Sequence, residues 1–568
     1  MKKIPYGISN FQVLREKNYI YVDKTKYIEI LENEAPYQFF VRPRRFGKSL
    51  FLSMLENYYD ILKKDIFQSL FGDLYIGQNP TPERNLYMVL PLSFAGLVTS
   101  EGKDRFIKSF DDNIIAAVRD FLKKYSYILG DDNMPEGITG AEMAIRHVIY
   151  ETARADRKLF ILIDEYDNFA NDLIGSGDRE LYYELLSSEG YVRSFFKTIK
   201  DGTTKSVSRI FMTGVSPIML DDLTSGFNIT KNLTMYPNLN EMLGFTLHEL
   251  ETIISEIGLD SKLDKQTLLD DLELYYNGYL FSEDAKQRLY NTNMVLYFLD
   301  YLSRFQKYPK NILDLNIRTD YKKIESLAFN FEDQALIQKL IVESNVETDL
   351  TERFNLEYMY SNKQNLMSIL YYIGMLTIEK AVPGKYIMKI PNYAIRTIYW
   401  DYFLDKLVQN KEIKEANSNL TSAIDEMAVE GKIRLFQAYI KRVLAMLSNR
   451  DLMGFDERYI KIILMTLFHQ NGYYIVNSEY EVEHGYVDIY LSKNRAYADY
   501  IKYEWIIELK YIKENERNKY EEVKTKAIEQ LKRYAASDKI KHRIDPNRLK
   551  KLLIIIIGKK DVFTQEVS

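Results

Sequence analysis

The chain has no cysteine, which excludes disulfides, thiolate zinc sites, iron–sulfur clusters and cysteine nucleophiles together. Histidine is scarce: His147, His248, His469, His484 and His542 are scattered, with no pair at helical metal-ligand spacing. Any metal must then be held mainly by carboxylates, which favours Mg²⁺ or Mn²⁺ over zinc. Glycine is sparse, at 25 of 568 residues, and no low-complexity tract or short repeat interrupts the chain, so long flexible linkers are not expected. The longest strongly apolar run, 552–557, is far too short to cross a bilayer and suits a buried strand. Lys2 and Lys3 have no apolar stretch behind them, so no secretory leader is expected and the protein reads as cytoplasmic, with no membrane partner.

What is present describes an ordinary globular protein, 46% hydrophobic and 28% charged. Its length exceeds what one core can serve and predicts roughly three or four domains. The net charge of −5 conceals an asymmetry. Residues 502–560 carry 17 Lys/Arg against 9 Asp/Glu, a local +8 that leaves −13 for the remainder. This predicts a basic C-terminal region on an acidic body, although a solvated charged helix explains such a run equally well.

Residues 1 to about 240 alternate strand-like apolar runs, at 37–41, 87–94, 159–163 and 209–213, with amphipathic helical stretches. From about 245 to 450 the apolar spacing becomes mostly helical, with one strand pair expected at 376–380 and 386–390 across Pro383-Gly384. From about 451 the expected order is helix, strand hairpin, strand, helix, strand.

The apolar run 37–41 leads into Arg42-Pro43-Arg44-Arg45-Phe46-Gly47-Lys48-Ser49 and then a helical stretch. Strand, tight loop, Gly-Lys-Ser and helix is the arrangement that presents backbone N–H groups and a helix N-terminus to phosphates, here those of ATP. Gly47 permits close backbone approach, Lys48 on an exposed loop reaches the β- and γ-phosphates, and Ser49 ligates Mg²⁺. The full pattern has glycine where Arg42 stands. A second apolar strand ends in Asp164-Glu165: Asp164 is expected to hold Mg²⁺ and Glu165 to orient and deprotonate the attacking water. A third ends at Thr213, whose hydroxyl is placed to sense the γ-phosphate. Taken singly, each of these is a common strand–turn; their chain order is what makes a nucleotide site.

The runs Ile4-Pro5-Tyr6-Gly7-Ile8, Tyr21-Val22-Asp23-Lys24-Thr25, the 42–49 loop, Ile163-Asp164-Glu165-Tyr166-Asp167 and Thr213-Gly214-Val215-Ser216 closely resemble the AAA-ATPase-like family of bacterial proteins. Tyr276-Asn277-Gly278-Tyr279 and Leu289-Tyr290-Asn291 extend the resemblance to about residue 300. It implies that an Arg-Pro-Arg-Arg-Phe loop is ordinary here and that Arg44 and Arg45, beside Phe46 and Gly47, add phosphate contacts. It also implies a C-terminal nuclease-like domain. Asp23 and Lys24 match the family without a derivable role, and a structural pair is expected.

Near the C-terminus, Gly485-Tyr486-Val487-Asp488 and, about twenty residues on, Glu508-Leu509-Lys510 form the PD-(D/E)xK nuclease pattern. Strand alternation puts Glu508 and Lys510 on one face. Asp488 and Glu508 are expected to hold one or two divalent ions, and Lys510 to position or activate the water. Glu-x-Lys alone is commonplace on amphipathic strands; the surrounding order of elements carries the argument. The resemblance adds Glu457, Glu479 and Gln530 as supporting residues and departs at Tyr486, where arginine is common.

These readings give an α/β protein with a P-loop AAA-like ATPase domain over 1–240, a helical lid or middle region over 241–450 and a restriction-endonuclease-like domain over 451–568. The expected function is an ATPase that gates a Mg²⁺- or Mn²⁺-dependent nuclease acting on nucleic acid, with DNA favoured over RNA and an oligomer left open. An ATP-switched scaffold with a silent nuclease fold is the alternative.

Overall fold

The computed structural model describes residues 2–130, 134–187, 190–219, 227–260, 263–319, 339–341, 345–352, 354, 362–408, 419–448, 456–483, 485–542, 544–558 and 561–567; His484 lies outside them. The chain divides into two compact units. The first draws its described residues from Met1–Arg304, Leu313–Glu332 and Asn345–Tyr393, the second from Phe305–Ile312, Asp333–Ser344 and Ala394–Ser568. The architecture is α/β throughout. Among the described residues no helix is long and apolar enough to cross a membrane.

In the first unit, strands β1 (Tyr37–Val41), β2 (Tyr87–Ser93), β3 (Lys158–Asp164), β4 (Val207–Gly214) and β5 (Lys231–Asn232) form a sheet in the order β2-β3-β4-β1-β5. Every pairing in it is parallel. A parallel sheet needs crossovers, and the helices Lys48–Tyr59, Lys103–Lys124, Ala141–Arg154 and Tyr191–Gly202 supply them. Covered on both faces, the strands read as continuous apolar runs rather than alternating ones: Leu159, Phe160, Ile161, Leu162 and Ile163 are all buried. The order places β4 between β1 and β3, so Thr213, paired with Phe40, arrives between the end of β1 and Asp164.

The stretch expected to be mainly helical contributes Leu247–Glu256, Lys265–Tyr276, Thr292–Phe305 and Lys363–Tyr372. The expected hairpin is β7 (Thr377–Val382) and β8 (Lys385–Lys389), antiparallel, with Gly384 at φ +74° in the turn. A strand the sequence did not announce, β6 (Asn345–Thr348), pairs with β8. It is short and polar, so it carries no apolar signal.

The second unit holds a sheet in the order β13-β12-β11-β10-β9, built from β9 (Tyr474–Val482), β10 (Gly485–Lys493), β11 (Glu504–Ile512), β12 (Leu549–Ile557) and β13 (Asp561–Glu566). β11 and β12 run parallel and the other pairings are antiparallel. Residues 552–557 of β12 are all buried. Each such side chain contributes about 1.5–3 kcal/mol, so this strand anchors the sheet that carries β11. The helix Tyr520–Ala535 packs Ala527, Leu531 and Tyr534 into the same core. The last strand, β13, was missed for the reason β6 was: an exposed, polar edge strand lacks an apolar run.

Candidate functional site

The loop after β1 bends through two left-handed residues, Arg45 at φ +71° and Gly47 at φ +95°. A Cβ on Gly47 would meet nothing within 4 Å, so the backbone angle, not crowding, favours glycine there. Arg42 is buried, at 1% exposure. Its guanidinium donates to the carbonyls of Val41, Thr234 and Leu239 and lies 4.1 Å from the ring of Phe40 and 4.2 Å from that of Phe281. Burial pulls its pKa down to about 9. The arginine that replaces the pattern's glycine thus braces the loop's first residue against the 234–239 segment.

Lys48 is not on an exposed loop, as the sequence suggested, but buried at 8% exposure. Its ammonium donates to the carbonyls of Arg42 (2.8 Å) and Pro43 (2.9 Å). Burial lowers its pKa to about 8, against the opposing pull of Asp164, Asp167 and Glu165. Next to it, the Ser49 hydroxyl donates to Asp164 Oδ2 at 2.6 Å. Thr213 Oγ1 is buried without a hydrogen-bond partner among the described residues. Glu165 sits at φ +51°, and its pKa is raised by burial and by Asp164, against Lys48 and Arg44. A hydroxyl–carboxylate pair beside a buried ammonium and an unpartnered hydroxyl fits a phosphate with Mg²⁺.

Of the remaining loop residues, Arg44 donates to Asn168 Oδ1 at 3.2 Å. The Phe46 ring is buried edge-to-face against Tyr279 and Phe281, so only its backbone N–H can serve a ligand. Lys24 pairs with Glu249 at 2.6 Å and donates to the Glu241 carbonyl, while Asp23 accepts from the backbone N–H groups of Thr25 and Tyr75.

Sequence reasoning gave Asp167 no role. It is buried and accepts from the N–H groups of Val215 and Ser216, the Ser216 hydroxyl and the Asn171 amide. Tyr166 donates its hydroxyl to the Ser216 carbonyl at 2.6 Å. These bonds tie the end of β4 to the end of β3, and a Cβ on Gly214 would fall 2.2 Å from Asp167 Oδ1. The joint occurrence of the 163–167 and 213–216 runs was the available signal.

In the second unit, the register Ile489↔Ile507 sets Asp488 on β10 across from Glu508 on β11. Lys510 Nζ lies 2.7 Å from Glu508 Oε1 and 3.5 Å from Asp488 Oδ2. Asp488 also accepts from the Leu509 N–H at 2.8 Å. Glu508 is 2% exposed, with Oε2 unpartnered among the described residues. Burial and Asp488 push its pKa up to about 7, against Lys510. Glu457, in the first turn of the helix Glu457–His469, accepts from the Tyr511 N–H at 3.0 Å, and burial raises its pKa. Glu479, on β9 at φ +51°, pairs with the buried ammonium of Lys461. Gln530 is half-buried on the helix Tyr520–Ala535 and makes no hydrogen bond to the three central side chains, among the described residues. No group of three or more His, Cys, Asp or Glu side chains is arranged to hold a metal, again among the described residues. Two carboxylates, one with a desolvated free oxygen, nevertheless form an oxygen donor pair that fits a hard divalent cation.

Two family models match this architecture. Residues 5–224 match the family described as predicted AAA-ATPase, and residues 455–566 match the PD-(D/E)XK nuclease superfamily. An uncharacterized protein from the vnfD 5' region of Azotobacter chroococcum is 27% identical over 320 residues, covering 54% of this chain. The chain spans about half the length of that curated relative, 52%. Among solved structures, Cdc6p from Pyrobaculum aerophilum aligns at 11% identity and TM-score 0.27, over 67% of this chain and 93% of its own. The Aeropyrum pernix ORC2 protein aligns at 11% identity and TM-score 0.25, over 68% and 97%.

Proposed function

We propose that this chain, an AAA-ATPase-like part joined to a PD-(D/E)XK part, is an ATPase whose nucleotide cycle gates cleavage of nucleic acid, with DNA favoured over RNA. The observation that carries the ATP reading is the Ser49 hydroxyl on Asp164 beside a buried, desolvated Lys48. In this reading residues 1–240 bind ATP, 241–450 act as the lid, 451–568 cleave, and the protein works in the cytoplasm. Incoming phosphate oxygens draw the Lys48 ammonium from two neutral carbonyls onto anionic oxygens, which adds ion pairing to its hydrogen bonds. Ser49 and Asp164 would hold Mg²⁺, which offsets phosphate charge when bound. The N–H groups of Phe46 and Gly47, with the guanidiniums of Arg44 and Arg45, contact the phosphates, and the Thr213 hydroxyl senses the terminal one.

Glu165 is the base. Its raised pKa makes it a stronger proton acceptor than an exposed glutamate. Glu165→Gln should keep ATP affinity within about twofold while hydrolysis falls at least about 100-fold, as loss of general-base catalysis predicts. Phosphate release measured beside calorimetric binding checks this; equal turnover in variant and wild type removes Glu165 from the mechanism.

A pH dependence follows from Lys48. Its pKa in the free protein is lowered to about 8, and bound phosphate raises it. ATP affinity is therefore complete only well below pH 8 and falls several-fold by pH 9, as the free ammonium loses its proton. Calorimetry across that range should show proton uptake; a flat profile would place this lysine outside the site.

In the second unit, Asp488 and Glu508 would hold the divalent cation, which supplies Lewis-acid charge against the scissile phosphate. Lys510 orients the water, and the basic 502–560 segment attracts the polyanion. Two observations favour a silent scaffold instead: the Lys510 ammonium already pairs with both carboxylates, and Tyr486, 54% exposed, stands where arginine is common. Incubation with single- and double-stranded DNA and RNA, with Mg²⁺ or Mn²⁺, with and without ATP, separates the two. Cleavage of any substrate excludes the scaffold reading; its absence throughout excludes the nuclease.

A further inference from the structure

The segment 291–293 touches three consecutive carbonyls of the phosphate loop. The buried Asn291 donates its amide Nδ2 to the Arg44 carbonyl at 3.3 Å. The Asn293 N–H donates to Arg45 O at 3.1 Å. The Thr292 hydroxyl donates to Phe46 O at 3.3 Å. Asn291 is itself fixed: its N–H donates to Tyr276 O at 3.2 Å, and its Oδ1 accepts from the Met294 N–H in the first turn of the helix Thr292–Phe305.

In a planar trans peptide the carbonyl and the following N–H point in opposite directions. No cis peptide occurs among the described residues. Holding the carbonyls of Arg44, Arg45 and Phe46 on one side therefore turns the N–H groups of Arg45, Phe46 and Gly47 to the other. The left-handed Arg45 and Gly47 within the same loop make the alternating backbone that gathers successive N–H groups into an anion-binding concavity.

We propose that Asn291, Thr292 and Asn293 are positioning residues for ATP, clamping the loop carbonyls so that three backbone N–H groups face the phosphates. This rests on the ATP reading of the loop. The clamp comes from the helix that follows the Leu289-Tyr290-Asn291 run, so it gives that run a role: it sets the affinity of a loop more than two hundred residues earlier in the chain. The clamp touches no reacting atom. It governs binding, not the chemical step.

The test is Thr292→Val, which keeps the branched shape and removes the donor, with Thr292→Ser restoring it. Binding of ATP and of inorganic tripolyphosphate is measured by calorimetry, with hydrolysis kinetics and melting alongside. Thr292→Val should raise Kd and KM about three- to tenfold for both ligands, with kcat within twofold and melting unchanged. Thr292→Ser should return both to wild-type values. Asn291→Asp, which keeps the helix cap but faces the Arg44 carbonyl with an acceptor, should weaken binding further. Unaltered binding in Thr292→Val overturns the proposal. So does a parallel loss of melting temperature and kcat that serine does not rescue, since that marks a merely structural contact. A wild-type protein that binds neither ATP nor tripolyphosphate sinks the ATP reading itself.

Discussion

Asp488→Ala and Glu508→Ala should each remove metal-dependent cleavage by more than about 100-fold while nucleic acid still binds. Losing even an outer partner of a metal ligand costs about 10- to 100-fold, and here the ligand itself is lost. The two residues are not equivalent. Glu508 is nearly inaccessible, with one oxygen unpartnered and a pKa pushed up to about 7 by burial and by Asp488. Its alanine variant removes a carboxylate whose charged form is disfavoured by burial and by Asp488. Asp488 also receives the Leu509 N–H at 2.8 Å, so its alanine variant leaves that N–H without its carboxylate partner. The Glu508 variant is therefore the cleaner test of chemistry. Lys510→Ala should slow cleavage more than it weakens binding, because the ammonium stands beside both carboxylates. Mn²⁺ binding measured by calorimetry should disappear in both carboxylate variants and persist in the lysine variant. Wild-type protein that takes up no Mn²⁺ and cuts no nucleic acid would give the second unit to the scaffold reading.

Lys48→Ala should cut ATP affinity by more than about 100-fold, since it removes charge-assisted bonds worth about 1.5–3 kcal/mol each. Lys48 is buried and serves two loop carbonyls in the free protein, so the alanine variant also unseats the start of the loop. Lys48→Met, which keeps most of the apolar stem and lacks the ammonium, separates the two effects. Both variants should lose the stabilisation that wild type gains from ATP with Mg²⁺, about 4 kcal/mol at a thousandfold excess over Kd. A methionine variant stabilised by ATP as well as wild type would remove Lys48 from the site.

The candidate sites were legible to different depths. The loop at 42–49, the carboxylates at the end of β3 and Thr213 near the end of β4 could be read because each stands at the end of a buried strand, and buried parallel strands announce themselves as unbroken apolar runs. Arg42 was misleading. Read as a missing glycine, it is a buried strut whose partners, Thr234 and Leu239, lie about two hundred residues away. Asp167 was invisible as a functional residue because its four donors belong to 171 and to residues 215–216, just past the end of β4. Phe46 sits in the middle of the motif, yet its ring belongs to an aromatic cluster with Tyr279 and Phe281.

The sequence alone determined the α/β class, the chain order of the strands around each site, the identity of the chemical groups and the lack of any cysteine thiolate. These follow from local periodicity, residue type and composition, which need no knowledge of what lies across the sheet. Only the tertiary structure decided that Lys48 is buried, that Glu508 is crowded by Asp488 and paired with Lys510, and that residues 291–293 hold the loop carbonyls. It also supplied the short polar edge strands β6 and β13. Each of these depends on pairings between segments distant in the chain, and burial and charge crowding exist only once such segments have met.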